Sequence, residues 1–307
     1  MQLKHIEHPE DSILTGDLSV LDWFCSMKGA KASLKMDGAP AVVWGTNPTT
    51  GNFFVGTKSV FNKIKKKINE SIEDIERNHP DKDLQYKLKA CFHNLPRTGK
   101  IYQGDFIGFG GDDWYKPNTI GYFFPHKINH NIIVAPHTVY DVWGNTLLDS
   151  VAQPLEHTLF SNYDDVLFVQ CDSQYNLTNQ IKDFSDFAKQ IAQMVDFVTV
   201  SKSNTIKKTI NHCIRVGNDF TEKELELISD VHNVDINLMR LWKLVKNIKE
   251  DALSVCSNNA WFTTYDDNDE IDGEGYVMWN KYGTFKLVNR EKFSRLNFLS
   301  SKSWVSS

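Results

Sequence analysis

Segments with β-strand character lie on both sides of one long helical segment, and few fold classes accommodate this arrangement. Apolar residues alternate or run continuously in short stretches between residues 31 and 171, and again between 275 and 288. Between residues 177 and 255 the apolar residues instead recur with the helical period, most clearly over 238–250. Strands and helices do not alternate one by one, so the pattern predicts an α+β fold built on antiparallel sheets.

Individual elements follow from the same periodicities and from turn residues. Strands are predicted at 31–36, 41–45, 51–60, 101–109, 121–124, 132–135, 137–143 and 166–171, with a hairpin at 274–288. Outside the long helical segment, helices are predicted at 20–27, 61–78 and 84–95. The domains expected are a core with its first part at 1–176 and its second at 257–299, a helical insertion or subdomain at 177–256, and a flexible tail at 300–307.

Composition excludes several classes of protein. Apolar residues make up 41% and charged residues 24%, as in ordinary globular proteins, and no apolar run is long enough for a membrane span. The five cysteines are scattered without a Cys-x-x-Cys pair, which disfavours a zinc ribbon or disulfide framework and favours a cytoplasmic setting. A net charge of −5 argues against a generally basic surface, although the basic clusters at 63–67 and 240–249 are either local nucleic-acid contacts or solvated helix faces.

A Lys-Met-Asp-Gly turn at residues 35–38 carries the strongest chemical signal. Lys35 and Asp37 are two residues apart on a predicted strand and would point to one face, while Gly38 would allow a sharp turn. A lysine attacks phosphorus only as the neutral amine, and a free lysine has a pKa of about 10.4, so other charges are expected nearby. Because Asp-Gly is also an ordinary hairpin signal, the turn alone fits either a catalytic or a structural role.

Five further residues at predicted strand positions could complete such a site: Lys58, Asp105, Tyr140, Glu274 and Lys286. Carboxylates can hold Mg²⁺ against a triphosphate, which makes Asp105 and Glu274 the candidate metal ligands. The lysines can bind phosphate, and the ring of Tyr140 could stack on a base.

Three other features predict structure rather than chemistry. His126, His130 and His137 are spaced too loosely for a metal site and are expected to be polar loop residues. The aromatic run at 122–124 is expected in the core, and the acidic stretch at 265–272 is expected to be a solvated loop.

The order of the charged motifs resembles that of the covalent nucleotidyltransferase superfamily, which comprises ATP-dependent DNA and RNA ligases and mRNA-capping guanylyltransferases. KMDG resembles motif I, FVGTKS the strand after it, YQGDF motif III, VYDVW motif IIIa, EGYV motif IV and TFKLV motif V. The segments IEHPED, KMDGAPAVVWG and FFVGTKSVFNK also resemble an uncharacterised ligase-like family common in phages. The resemblance covers most of residues 5–143 and 270–290 and leaves out the helical segment between them.

The resemblance implies a nucleotidyltransferase fold, an ATP-grasp-like ligase adenylation core, with Lys35 as the nucleophile that takes AMP. By the same resemblance, Asp37, beside Gly38, would contact the nucleotide sugar, and Lys58 would be the basic residue of the next strand. Asp105 would bind ribose or metal-linked water, and Tyr140 would stack on the base. Glu274 would bind metal, and Lys286 would contact the α-phosphate. About twenty residues follow Lys286, too few for a C-terminal OB domain.

The function implied first is an ATP-dependent polynucleotide ligase of the RNA-ligase type, which joins 5′-phosphate and 3′-hydroxyl ends with Mg²⁺ or Mn²⁺. We expect a monomer in the cytoplasm of a phage-infected host cell, with no membrane contact and with RNA favoured over DNA. One alternative is a nick-sealing DNA ligase or a nucleotidyltransferase with another acceptor. A second is a catalytically degenerate nucleotide- or nucleic-acid-binding protein, favoured because Asp105 replaces glutamate and Thr284 replaces a lysine of the family motifs.

Overall fold

A computed structural model describes residues 6–155, 163–175, 178–266 and 269–293; the tail predicted at 300–307 lies outside them. The described α-helices are α1 (Pro9–Ser12), α2 (Ser19–Cys25), α3 (Ile72–Asn78), α4 (Lys82–Asn94), α5 (Asn179–Ala192), α6 (Val200–Val216), α7 (Glu222–His232) and α8 (Ile236–Ser254). The described strands are β1 (Lys31–Leu34), β2 (Ala41–Thr46), β3 (Phe53–Gly56), β4 (Ile101–Phe109), β5 (Trp114–Tyr115), β6 (Ile120–Phe123), β7 (Ile132–Val142), β8 (Ser150–Pro154), β9 (Val166–Phe168), β10 (Ser173–Tyr175), β11 (Cys256–Asn258), β12 (Thr263–Asp266), β13 (Asp269–Ile271), β14 (Gly275–Asn280) and β15 (Gly283–Val288).

The predicted α+β class with antiparallel sheets is confirmed. Every described strand pair is antiparallel except β7 with β9, which is parallel. In the part of the chain that the structure describes, no helix is both long and apolar enough to cross a membrane.

The chain forms two compact units. Among the described residues, the first contains Lys35–Asp172 and Ala260–Gly273. The second contains Ile6–Leu34, Ser173–Asn259 and the chain from Glu274 onward. The sequence predicted the helical segment as an insertion into one core, whereas the structure groups this segment with the N-terminal residues and the C-terminal hairpin. These long-range packing partners leave no local signal in the sequence.

The main sheet of the first unit has the strand order β3-β2-β4-β7-β8, with β9 beside β7. Alternating residues of β2 divide between its two faces. Trp44 packs in one cluster with Leu88 and Cys91 of α4, whereas Val43 packs in another with Phe54 and Phe61. The sheet is therefore covered on both faces, which explains why β2 and β3 are apolar almost throughout.

The helix predicted over 61–78 is only partly correct, because α3 begins at Ile72. Asn69 is fully buried, and its backbone and side chain both hydrogen-bond to Val55 of β3, so this residue is held in a β-bridge rather than in a helix. The Ser71 hydroxyl then accepts a hydrogen bond from the Asp74 N–H and begins α3 as its N-cap. The lysine-rich stretch at 63–66 is exposed and is not helical.

The second unit contains a three-stranded sheet, ordered β1-β14-β15, together with helices α5 to α8. Trp242 of α8 is fully buried and packs against Phe220, as the predicted apolar stripe of this helix requires. The fully buried Trp23 of α2 donates its indole N–H to the carbonyl of Gly283, at 3.1 Å, and its ring meets Phe285 edge to face. The predicted C-terminal hairpin is confirmed as β14 and β15.

A buried ionic network joins α1, α8 and the residues after β15. Lys249 Nζ lies 2.7 Å from Oε1 of Glu10, and Arg290 lies 3.0 Å from both Glu10 and Asp11. All four side chains are at most 6% exposed, so these charges depend on one another for solvation. The indole N–H of Trp242 donates to Asp11, and Arg290 donates to the side-chain oxygen of Asn211.

His8 lies beside this network and cannot readily take up a proton. Its Nδ1 atom is buried without a hydrogen-bond partner among the described residues. Burial lowers the pKa of His8 to about 3, against the opposing influence of Glu10 and with support from the cations Arg290, Lys249 and Lys286.

The depressed pKa of His8 predicts a loss of stability in mild acid. Between pH 6.5 and 3 the unfolded chain binds a proton at His8 that the folded chain does not, so the free energy of unfolding falls as the pH falls. From pH 7 to pH 5 this loss is about 2 kcal/mol. Urea unfolding of wild type and His8→Gln at both pH values measures the difference; equal pH dependence in the two proteins would contradict the assignment.

Candidate functional site

The segment of Lys35 lies between β1 and β2 rather than inside a strand. β1 ends at Leu34, so the prediction that Lys35 and Asp37 share one strand face is wrong. The Asp37 carboxylate instead accepts hydrogen bonds from Asn118 Nδ2 at 2.7 Å and from the N–H groups of Thr119, at 2.9 Å, and Ile120, at 3.3 Å. These bonds tie the segment to the start of β6 and leave Asp37 8% exposed.

Gly38 places this segment directly against β4. A Cβ atom on Gly38 would lie 2.7 Å from Cβ of Asp105 and 2.7 Å from the carbonyl oxygen of Phe106. The neighbouring Ala39 N–H donates to that carbonyl at 3.0 Å, and the Phe106 N–H donates to the carbonyl of Pro40. The sequence predicted a sharp turn at Gly38, and the structure adds that the absence of a side chain is needed for close approach to Asp105.

A β-bulge brings His137 beside Asp105. On the β4–β7 ladder, Gln103 pairs with Thr138 and Gly104 with Pro136, so His137 is an extra residue without a partner on β4. Its Nε2 atom lies 3.8 Å from Oδ1 of Asp105, and its Nδ1 atom lies 2.7 Å from the hydroxyl of Thr138. Bulges often redirect a side chain next to a functional site. The prediction that His137 is a loop residue is wrong, because β7 runs through Pro136 as one strand.

Asp105 is held as a carboxylate by its surroundings. Burial raises its pKa, but the imidazole of His137, the next largest influence, lowers it. The positive charges of Lys35 and Lys58 lower it further, so the net pKa of Asp105 lies below its ordinary value. Two of the predicted site residues, Lys35 and Lys58, therefore act electrostatically on a third, Asp105, within the first unit.

Lys58 lies just after β3, in a short 3₁₀ turn that covers Lys58–Phe61. The turn begins at Thr57, whose hydroxyl accepts a hydrogen bond from the Ser59 N–H. The Lys58 side chain is exposed, which leaves its ammonium group accessible to a ligand.

Tyr140 does not lie where a nucleobase could stack. Its ring is 4% exposed and packs 4.6 Å from the ring of Phe61, centroid to centroid, within the hydrophobic core. Its hydroxyl donates to Oε1 of Gln103 at 2.6 Å, and burial raises its pKa. The predicted stacking role is therefore inconsistent with the placement of this ring, which belongs to the packing beneath the site.

The last two predicted residues belong to the second unit. Glu274 directly precedes β14, and Lys286 pairs with Val277 across the β14–β15 hairpin. The Lys286 N–H donates to the carbonyl of Glu7 at 3.0 Å. Among the described residues, no group of three or more His, Cys, Asp or Glu side chains is arranged to hold a metal ion.

Comparison with known proteins gives one match. The model of a family described as "Family of unknown function (DUF6267)" matches residues 3–227 and 217–302. The chain belongs to this family. No curated protein and no solved structure matches the chain.

Two residues that contact the candidate site have no distinctive sequence pattern. The spacing of His137 from the other histidines does not suit a metal, and its partner is instead Asp105 on the neighbouring strand β4. Tyr122 was expected in the core, and it is buried, but its hydroxyl also bonds the backbone of Asp37. The signal available in the sequence was a polar group within an otherwise apolar strand.

Replacing Gly38 with alanine is expected to displace the Lys35 segment from β4. The added methyl group would overlap Asp105 and the backbone of Phe106. Relief of this overlap requires a shift of the backbone, which lowers stability. We expect a loss of about 1–3 kcal/mol in the free energy of unfolding. Urea denaturation measures it, with Gly51→Ala as a control that has open space but a positive φ of 77°. A smaller loss for Gly38→Ala than for Gly51→Ala would contradict the close approach.

Proposed function

We propose that this protein is an ATP-dependent nucleotidyltransferase that forms a lysyl-AMP intermediate at Lys35, and that it uses the AMP to join polynucleotide ends. The supporting observation is the packing of the Lys35–Gly38 segment against β4, where a Cβ atom on Gly38 would lie 2.7 Å from Cβ of Asp105. The positive charges of Lys35 and Lys58 also lower the pKa of this carboxylate. A nucleophilic amine, a second cation for phosphate and a carboxylate for a divalent ion are what attack on a triphosphate needs. The adenylation fold belongs to the same proposal and rests on the motif order described above.

The first step exchanges one bond at phosphorus. Nζ of Lys35 loses its proton to solvent, and its lone pair attacks the α-phosphorus of ATP. A phosphorus–nitrogen bond forms while the bond to the bridging oxygen breaks, and pyrophosphate leaves with that electron pair. The charge of Lys58 acts on Asp105, and this exposed lysine would offset the charge of the phosphates.

The residues present fit a divalent cation. The lowered pKa of Asp105 keeps its carboxylate ionised at neutral pH, as a metal ligand must be. Mg²⁺ usually takes only one or two protein carboxylates and completes its shell with water and substrate phosphates, so the lack of a three-residue cluster among the described residues is compatible with it. When bound, Mg²⁺ or Mn²⁺ would neutralise phosphate charge, and Asp105 would be its ligand from the first unit.

Two further steps follow from the proposal. AMP passes from Lys35 to a 5′-phosphate end, and a 3′-hydroxyl then attacks that phosphate and releases AMP. RNA is the favoured acceptor, and DNA nicks or a non-nucleic-acid acceptor are the competing possibilities.

Labelling of the full chain tests the first step. The protein is incubated with ATP or GTP labelled at the α-phosphate, with Mg²⁺ or Mn²⁺, and then denatured and separated on a gel. We expect a band labelled by ATP that is lost at acid pH, because phosphoramidates are acid-labile. The absence of label with any nucleotide and either metal would overturn the proposal.

The acceptor is tested separately, with nicked RNA, nicked DNA and single strands that carry a 5′-phosphate. Ligation of RNA ends is the expected result. Labelled protein that joins none of these substrates would contradict strand joining while leaving lysyl adenylation intact.

A further inference from the structure

A second sheet of the first unit carries aromatic side chains on its outer face. Its strand order is β13-β12-β6-β5. Trp114 pairs with Phe123, Phe123 pairs with Thr263, and Tyr265 pairs with Gly121. Because paired residues of neighbouring strands point the same way, Trp114, Phe123 and Tyr265 share one face, which we call the aromatic face. The opposite face is buried, with Tyr115, Tyr122 and Thr264 at most 7% exposed.

The aromatic face is open to solvent and has a defined arrangement. Trp114 is 40% exposed and Phe123 is 42% exposed. The rings of Trp114 and Tyr265 lie 5.6 Å apart, centroid to centroid. A Cβ atom on Gly121 would lie 2.4 Å from Cη2 of Trp114, so the indole covers this glycine. The prediction that residues 122–124 all lie in the core is wrong for Phe123, because only its neighbours Tyr122 and Phe124 are buried.

Charge around the aromatic face is mainly negative. Glu270 pairs with Tyr265 and therefore lies on the same face, where it is exposed. The described residues of the sheet and its turns carry six carboxylates: Asp112, Asp113, Asp266, Asp269, Glu270 and Asp272. Lys116 lies among them, and Lys127 follows beyond β6. An excess of carboxylates repels the phosphates of a nucleic acid and attracts cations.

We propose that the aromatic face binds arginine or lysine side chains from a basic segment of a partner protein. The exposed indole of Trp114 and the partly buried phenol of Tyr265 can attract a guanidinium or ammonium group through their π faces, and arginine also stacks on such rings. Glu270, beside Tyr265, supplies a carboxylate for the same cation. This surface is separate from Lys35 and Asp105, so the inference does not depend on the proposed ligase activity.

Fluorescence anisotropy of the full chain tests the inference. The probes are a fluorescein-labelled ten-residue peptide of alternating glycine and arginine, its glycine–glutamate counterpart, and a labelled single-stranded RNA of the same length. We expect the arginine peptide alone to bind through this face. Trp114→Ala should weaken that binding about fivefold and Glu270→Lys about tenfold. Trp114→Leu, which keeps an apolar contact over Gly121, should lose affinity like Trp114→Ala.

Matched controls separate this site from general attraction to a negatively charged chain. Trp143→Ala removes a more exposed indole, and Asp141→Lys makes the same charge change on the other sheet. Both controls should bind the arginine peptide as wild type does. Failure to bind it, losses in the controls equal to those in Trp114→Ala and Glu270→Lys, or RNA binding that Trp114→Ala removes would each overturn the inference.

Discussion

Replacing Lys35 with arginine is expected to abolish covalent labelling by ATP, a loss of at least about a thousandfold. Arginine keeps the positive charge beside Asp105, so the electrostatics that hold this carboxylate ionised are preserved. Its guanidinium stays protonated at any workable pH and cannot attack phosphorus. The change therefore removes the nucleophile while retaining the charge.

Two lysine controls make this result specific. Lys65→Arg alters an exposed lysine of the non-helical 63–66 stretch and should label like wild type. Lys58→Ala should label more slowly without losing the adduct, because it removes a phosphate contact rather than the nucleophile. Label that persists in Lys35→Arg would show that the nucleophile is another residue. If the label also disappears in Lys58→Ala, that residue would be Lys58.

Replacing Lys249 with methionine is expected to lower the free energy of unfolding by about 3–5 kcal/mol. The substitution removes the ammonium 2.7 Å from Glu10 and leaves Arg290 to neutralise two buried carboxylates alone. Desolvation opposes ionisation of Glu10, and the charges of Lys249 and Arg290 overcome it and hold its pKa well below the usual range. Urea unfolding at neutral pH measures the loss.

The double variant Glu10→Gln with Lys249→Met distinguishes a lost charge pair from lost packing. Removal of both charges should lower the free energy of unfolding less than Lys249→Met alone, since the Glu10 carboxylate that would lack Lys249 is then absent. Lys182→Met breaks an exposed pair with Asp186 and should change stability by less than about 1 kcal/mol. A double variant less stable than Lys249→Met alone would contradict the electrostatic explanation.

Local patterns predicted most elements of the fold. The strand over 101–109 matches β4, the helix over 84–95 matches α4 within two residues, and the C-terminal hairpin forms as β14 and β15. Each of these depends on periodicity and on turn or capping residues within a short stretch of chain.

The errors share a physical cause. The predicted helix at 61–78 fails at its start because Asn69 bonds to Val55, 14 residues away, and this bond competes with helix formation. Lys35 falls outside β1 because Gly38 and Asp37 are held by β4 and β6. In both places a tertiary contact overrides the local preference of the backbone.

Local sequence patterns predict the candidate residues for chemistry: a lysine before an Asp-Gly pair, a carboxylate in a predicted strand and a cation after a glycine. They also predict the α+β class, because periodicity is a local property. The contact of His137 with Asp105, the burial of Tyr140 in the core and the buried pair of Glu10 with Lys249 follow instead from the tertiary fold. Those outcomes depend on strand register, a bulge and contacts across up to 239 residues, and no local pattern encodes them.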